Sequence, residues 1–118
     1  MGQDKTTLGS IHISPTAIAA IVYHATRQSY GIVGLAPKSL AEGITTTITR
    51  EPSRGINVRF NEDKLDIDIF IIIEFGTRIT TVAESLTKAI RYQVEKTIGI
   101  KVNEVNVHVQ GLRISDPD

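Results

Sequence analysis

The chain has 118 residues, a length that suits one domain with its own core, without disulfides or a structural metal. Its 13 basic side chains balance 13 acidic ones, so net charge favours neither nucleic acid nor an anionic bilayer as a partner. The absence of cysteine excludes a disulfide framework, a thiolate zinc site and a thiol nucleophile.

The sequence predicts neither a secretory signal nor a membrane span. Its first residues lack the basic-then-apolar pattern of a signal peptide. No apolar run approaches the roughly 20 residues that cross a bilayer as a helix. Any membrane association is therefore expected to be peripheral or through a partner.

The N-terminal part predicts a strand, a helix and a second strand. Residues 8–14 alternate apolar and polar side chains, as a half-buried strand does. Ser14 suits a helix N-cap and Pro15 the first helical position, and apolar residues then recur at helical spacing. Gly31 is predicted to end this helix through a left-handed conformation, before a short apolar strand at 32–36.

Residues 37–50 carry two conflicting patterns. Leu40, Ile44 and Ile48 are four residues apart, as one stripe of a helix requires. The threonines between them are β-branched and favour a strand. A short helix is the prediction, followed by a turn at 51–55.

The second half predicts a β-hairpin, a long helix and a final strand. Residues 56–61 alternate and lead through a turn into a strand that begins at Leu65. An amphipathic helix follows from Ile79 and stops at Gly99, and valines alternate with polar residues over 105–110 in the last strand. The core-facing side chains of the hairpin's second strand are expected to be Leu65, Ile67, Ile69, Ile71, Ile73 and Phe75.

These elements predict an α+β fold with a mixed, largely antiparallel sheet and helices packed on one face. The order is β-α-β-(short helix)-β-β-α-β, in a single domain at 8–112 with flexible ends at 1–7 and 113–118. The other face should meet solvent. Its polar positions are interrupted by two apolar side chains, Phe70 and Ile72.

Two interpretations of this apolar pair remain open. Contiguous exposed apolar area tends to be used in binding, which makes the pair half of a self-association or partner interface. Alternatively, the segment from Leu40 to Ile48 folds across the sheet and covers it. The candidate interaction surface consists of Phe70, Ile72, Leu40, Ile44, Ile48, Arg59, His12 and His108.

No catalytic, cofactor or metal site is predicted. His12 and His108 share the outward face with two aspartates, but no paired metal-ligand spacing is present. Ser14 serves as a helix cap rather than as a nucleophile, and the glycines lack phosphate-binding spacing. One arginine and one aromatic beside two aspartates disfavour nucleic acid on this face.

Several segments, taken in order and spacing, resemble the alkaline-shock or envelope-stress-response family of Gram-positive and related bacteria. They are Gly9 to Pro15, Gly31 to Leu35, Gly55 to Val58, Ile71 to Gly76, Val94 to Gly99 and Val105 to Val109. The resemblance spans about residues 8–112. It implies a cytoplasmic protein without known enzymatic activity, which self-associates and is held near the membrane by a membrane-embedded partner.

The function expected from the sequence is therefore that of a non-enzymatic structural or adaptor protein linked to cell-envelope stress or homeostasis. It would act as a homo-oligomer or by binding a membrane-anchored protein, without a cofactor. Two alternatives stay open. One is a regulatory partner of a fatty-acid-kinase-like enzyme, which the genes beside some family members suggest, and the other is a small nucleic-acid-binding module.

Overall fold

A computed structural model describes residues 14–38 and 48–114. In chain order, the elements are α1 (Pro15–Arg27), β1 (Ile32–Leu35), α2 (Pro52–Gly55), β2 (Ile56–Asn61), β3 (Lys64–Glu74), α3 (Ile79–Ile98) and β4 (Val102–Arg113). The predicted α+β class with a mixed sheet is confirmed. The predicted strand at 8–14, apart from Ser14, and most of the predicted short helix lie outside the described residues.

The first helix begins where the sequence predicts and ends earlier. The Ser14 hydroxyl accepts a hydrogen bond of 3.0 Å from the Ala17 amide, and Pro15 opens the helix. The helix ends at Arg27, and its C-cap residue Gln28 has a right-handed backbone conformation. The prediction that Gly31 ends this helix is therefore wrong. Gly31 instead turns the chain into β1 with a φ of 85°.

β3 is the central strand of the sheet. It pairs with β2 and β1 in antiparallel fashion along successive stretches, and with β4 in parallel along 65–74. Because a strand has only two sides, β1 and β2 lie end to end on one side of β3 and β4 lies on the other. Among the described strands, β4 is therefore an edge strand.

The core lies between the helix-covered face of the sheet and the two long helices. Five of the six predicted core side chains of β3 are fully buried, and they pack against Val22 of α1 and Leu86 of α3. Phe75 is 62% exposed, so its core assignment is wrong. The strand ends at Glu74, and Phe75 starts the turn that leads to α3.

The short connections also depart from the prediction. Residues 52–55 form a four-residue helix rather than a simple turn, with Pro52 in its first turn. The described end of the predicted short helix is not helical, because Thr49 forms an isolated β-bridge with Leu35. The Thr49 amide donates to the Leu35 carbonyl at 2.9 Å. The β-branched preference of the threonines prevails at this point.

Candidate interaction surface

The outer face of the sheet carries a hydrogen-bonded network around two aspartates of β3. Arg59 on β2 donates to the Asp68 carboxylate at 2.9 Å, and its other terminal nitrogen lies 4.0 Å from Asp66. On the β4 side, Asn103 donates to Asp66 and Asn106 donates to Asp68, each at 3.0 Å. The strand register produces this network, since Asp66 lies opposite Arg59 and Asp68 lies opposite Asn106.

The environment of Asp68 favours its charged form. Partial burial by itself raises the pKa of this carboxyl group, because a charge is less stable away from water. Hydrogen bonds from Asn106, His108 and Arg59, together with the positive charge of Arg59, outweigh that effect. The pKa of Asp68 therefore lies below its usual value, and Asp68 is suited to holding the sheet surface together rather than to carrying a proton.

Phe70 and Ile72 do not form an open apolar patch. The Phe70 ring is stacked on the His108 ring, with a centroid distance of 4.4 Å and an interplanar angle of 12°. Ile72 is fully buried, although it points to the outer face as predicted. Its neighbour Gly34 lies directly under Ile48, whose Cγ2 would be 2.9 Å from a Cβ at that position.

At Ile72 the structure agrees with the second interpretation, in which the segment from Leu40 to Ile48 covers the apolar pair. Ile72 is buried, and Ile48 lies over this end of the outer face. The structure brings Phe70, His108 and Arg59 together around Asp68. Leu40, Ile44 and His12 lie outside the described residues. A contact role for Arg59 and His108, whose side chains are 48% and 43% exposed, stays a prediction.

The larger apolar surface lies on the opposite face, along β4. Its helix-side valines are only partly covered by α3 and line an open cleft of about 630 Å³ together with Ile79, Ala83 and neighbouring residues. The apolar line continues past the cleft to Ile114, which is 73% exposed. We call this surface the β4 strip, and it consists of Val105, Val107, Val109, Leu112, Ile114, Phe75 and Ile79.

The alternation pattern alone does not separate the β4 strip from the core. Val105, Val107 and Val109 alternate with polar residues just as the buried Leu65 and Ile67 of β3 alternate with Asp66 and Asp68. Their partial exposure follows from the position of β4 at the edge of the described strands, where α3 covers only part of the strand. Strand order is a property of tertiary structure that alternation does not report.

The described residues form neither a metal-binding cluster nor a membrane-spanning helix. Within 14–38 and 48–114, no group of three or more His, Cys, Asp or Glu side chains is arranged to hold a metal ion. Over the same ranges, no helix is both long and apolar enough to cross a membrane. What the structure offers is a polar face with a satisfied network and an apolar strip on the face opposite.

The fold and these surfaces define a small α+β domain with a polar sheet face and a partly exposed apolar strip. Its chain path is similar to that of a solved MamM-CTD variant, with a TM-score of 0.52 and 13% sequence identity, over 83% of this chain and 98% of that chain. At that identity, the likeness shows the fold alone.

Sequence comparison places the chain in a family. The uncharacterized protein YloU of Bacillus subtilis (strain 168) is 39% identical over 115 residues, 96% of each chain. The uncharacterized protein Spy1614 of Streptococcus pyogenes serotype M6 is 24% identical over 112 residues, 93% of each chain. Residues 3–114 match the family of alkaline shock protein 23, described as having a cell envelope-related function. The chain belongs to this family, as the resemblance noted in the sequence indicates.

Proposed function

We propose that this protein is a non-enzymatic structural or adaptor component of a cell-envelope-related system, and that it works by binding other protein surfaces. The β4 strip carries this proposal. It places seven apolar side chains along one edge of a small domain whose remaining core is well covered. A contiguous exposed apolar surface of this kind marks interaction sites in soluble domains.

The outer face supports the same conclusion by contrast. Its two aspartates already accept hydrogen bonds from neighbouring strands, and His108 is stacked on Phe70. A partner on that face would have to compete with these internal contacts or add to them at the rim. The side chains of the β4 strip are apolar and form no hydrogen bonds that a partner would have to break. Covering them with a partner is therefore favourable through apolar burial.

The family description gives the setting of this binding. A cell envelope-related function is a property of the family to which residues 3–114 belong. We propose that the domain acts in the cytoplasm and reaches the envelope by association, either as an oligomer or through a membrane-anchored protein. In that arrangement the β4 strip supplies the contact and the polar face remains in solvent.

Site-specific photo-cross-linking in living bacteria tests the proposal. The chain has two phenylalanines with large exposed fractions at different places, Phe75 in the β4 strip and Phe60 on β2. A photoreactive phenylalanine analogue at Phe75 should give covalent protein adducts, whereas the same analogue at Phe60 should give few or none. Equal adducts at both positions, or none at Phe75, would contradict binding through the β4 strip.

A further inference from the structure

A cleft beside β1 is a second candidate site, separate from the β4 strip. It is formed by the last turns of α1, by β1 and by residues 48–50, and its volume is about 570 Å³. Because β1 and β4 pair with opposite sides of β3, this cleft and the β4 strip lie on different sides of the sheet. Its volume is that of a small-molecule site.

Two arginines line this cleft from different segments of the chain. Arg27 belongs to the last turn of α1, and Arg50 follows the residue that forms the β-bridge to β1. Within residues 14–38 and 48–114, neither guanidinium group forms an ion pair. Glu51, the acidic neighbour of Arg50 in sequence, is bonded instead to Arg54 at 2.7 Å. The cleft therefore brings together two positive charges that no described carboxylate neutralises.

Other groups of the cleft suit an anion as well. The Arg27 guanidinium carbon lies over the Tyr23 ring, 5.9 Å from its centroid, and this contact favours a position beside the cleft. The Thr49 hydroxyl oxygen accepts a hydrogen bond from the Glu51 amide at 3.2 Å. A hydroxyl group that accepts one bond is still able to donate its own hydrogen. Thr49 thus offers a neutral donor next to the two charged side chains.

The C-terminal end of α1 would by itself disfavour an anion, because free carbonyl groups give a helix end a partial negative charge. The Ala25 carbonyl, however, accepts hydrogen bonds from the Gln28 amide at 3.3 Å and the Ser29 hydroxyl at 2.9 Å. The Thr26 carbonyl accepts one from the Ser29 amide at 3.1 Å. These bonds reduce the negative charge that the helix end presents, so the two arginines determine the sign of the field.

We propose that this cleft binds an organic phosphate, with the phosphate group held between Arg27 and Arg50. A phosphate monoester carries a charge of about −1.5 to −2 at neutral pH, which balances two guanidinium groups, whereas a carboxylate would balance only one. Guanidinium groups also form paired hydrogen bonds to phosphate oxygens. The cleft is larger than a phosphate group, so the organic part would lie against Ile32, Val33 and Ile48. This binding is independent of the contact proposed for the β4 strip.

Isothermal titration calorimetry with glycerol 3-phosphate tests the site, and glycerol is the uncharged control compound. The natural protein should bind glycerol 3-phosphate and should not bind glycerol. Arg27→Gln and Arg50→Gln should each raise the dissociation constant by about tenfold or more, because each removes charge-assisted hydrogen bonds to the phosphate. Arg78→Gln removes the same charge from an exposed residue at the start of α3 and should leave the dissociation constant unchanged. Circular dichroism verifies that the variants are folded.

Free organic phosphates and lipid headgroups share this chemistry, and vesicles distinguish the two sources. Phosphatidylcholine vesicles that contain phosphatidic acid present a phosphate monoester at a membrane surface, and vesicles of phosphatidylcholine alone do not. Cosedimentation with the first kind only, weakened in Arg50→Gln, would support a lipid headgroup as the ligand. Binding of glycerol 3-phosphate without cosedimentation would support a soluble ligand.

The chain's own acidic side chains are the competing occupants of the cleft. Residues 39–47, which precede Ile48, lie outside the described residues and contain one acidic residue, Glu42. A natural protein that binds neither glycerol 3-phosphate nor the vesicles would overturn the proposal, and binding that appears in Glu42→Gln would then identify this carboxylate as the occupant. Binding that is unchanged in Arg27→Gln and Arg50→Gln would also overturn it. Each of these results leaves the β4 strip to be judged by cross-linking at Phe75.

Discussion

On the outer face, ionisable side chains form hydrogen bonds that hold neighbouring strands together. Both oxygens of Asp68 are engaged, one by Asn106 and His108 and the other by Arg59. Asp66 accepts hydrogen bonds from Asn61 and Asn103 and is almost fully buried. The donors on Asp68 stabilise its charged form, which opposes the use of Asp68 as a general acid.

The lowered pKa of Asp68 predicts an acid-dependent contribution to stability. A carboxyl group with a folded-state pKa below its unfolded value stabilises the fold above the unfolded pKa, about 3.9 for Asp. That contribution is lost as pH falls from there through the folded pKa, because the unfolded state binds the proton first. Asp68→Asn should therefore lower the free energy of unfolding at pH 7, and its difference from the natural protein should narrow below about pH 4.

Urea denaturation over a pH series measures this difference. Asp63→Asn, which removes the same charge from the exposed hairpin turn, controls for the change in net charge. A difference between the natural protein and Asp68→Asn that stayed constant down to pH 2 would contradict the role given to Asp68.

Gly31 gives a second prediction at this scale. Its φ of 85° is strained for other residues, and a Cβ there would lie 2.7 Å from Cγ2 of Val82. Gly99 has nearly the same φ, 86°, but faces open space. Gly99→Ala should cost about 1–2 kcal/mol through backbone strain, and Gly31→Ala should cost more because it adds the contact with α3. Equal losses of unfolding free energy would show that Val82 moves aside without cost.

At the scale of helices and strands, the sequence predicts the long periodic elements well. It predicts poorly which other segments pack against them. The 20-residue α3 and the 11-residue β3 carry enough repeats for their buried faces to be read directly. Alternation also places Ile72 correctly on the outer face. Alternation does not decide whether Ile72 is buried, because burial depends on segments distant in sequence, such as Ile48, which lies against Gly34 opposite Ile72.

The candidate site was less predictable than the fold for a related reason. Periodicity reports which way a side chain points, whereas exposure depends on what lies beyond it. The sequence leaves open whether Phe70 lies on an open patch or is covered, and in the structure its ring is stacked on that of His108, which β4 places beside it. Val107 has the pattern of a core residue, yet among the described strands it lies on an edge strand, which the strand order reveals and the alternation does not.

The burial of Ile72 predicts a loss of stability rather than a loss of binding. Ile72→Ala should lower the free energy of unfolding by about 2–5 kcal/mol, because a fully buried side chain leaves a cavity. Ile79→Ala removes the same group from a side chain that is 44% exposed and should cost well under half as much. Urea denaturation of both variants measures their free energies of unfolding. Similar decreases in the two variants would mean that this end of the outer face is open in solution.

In the whole molecule, the two faces of the sheet have different roles. The helix-covered face supplies the core that holds the domain together, and at β4 this same face continues into an uncovered strip. The outer face is polar and internally satisfied around Asp68. A protein bound along the β4 strip would cover its partly exposed valines and leave the polar face in solvent.

Self-association through the β4 strip, one form of the proposed function, makes stability depend on protein concentration. When dimerisation is coupled to folding, each tenfold increase in concentration adds about 1.4 kcal/mol per mole of dimer, so the midpoint of thermal unfolding rises with concentration. The natural protein should show this rise in scanning calorimetry over two decades of concentration. Val107→Lys should show a midpoint that does not change, because the monomer unfolds alone. A midpoint that is independent of concentration in the natural protein, at concentrations where sedimentation finds a dimer, would mean that association adds nothing to the stability of the fold.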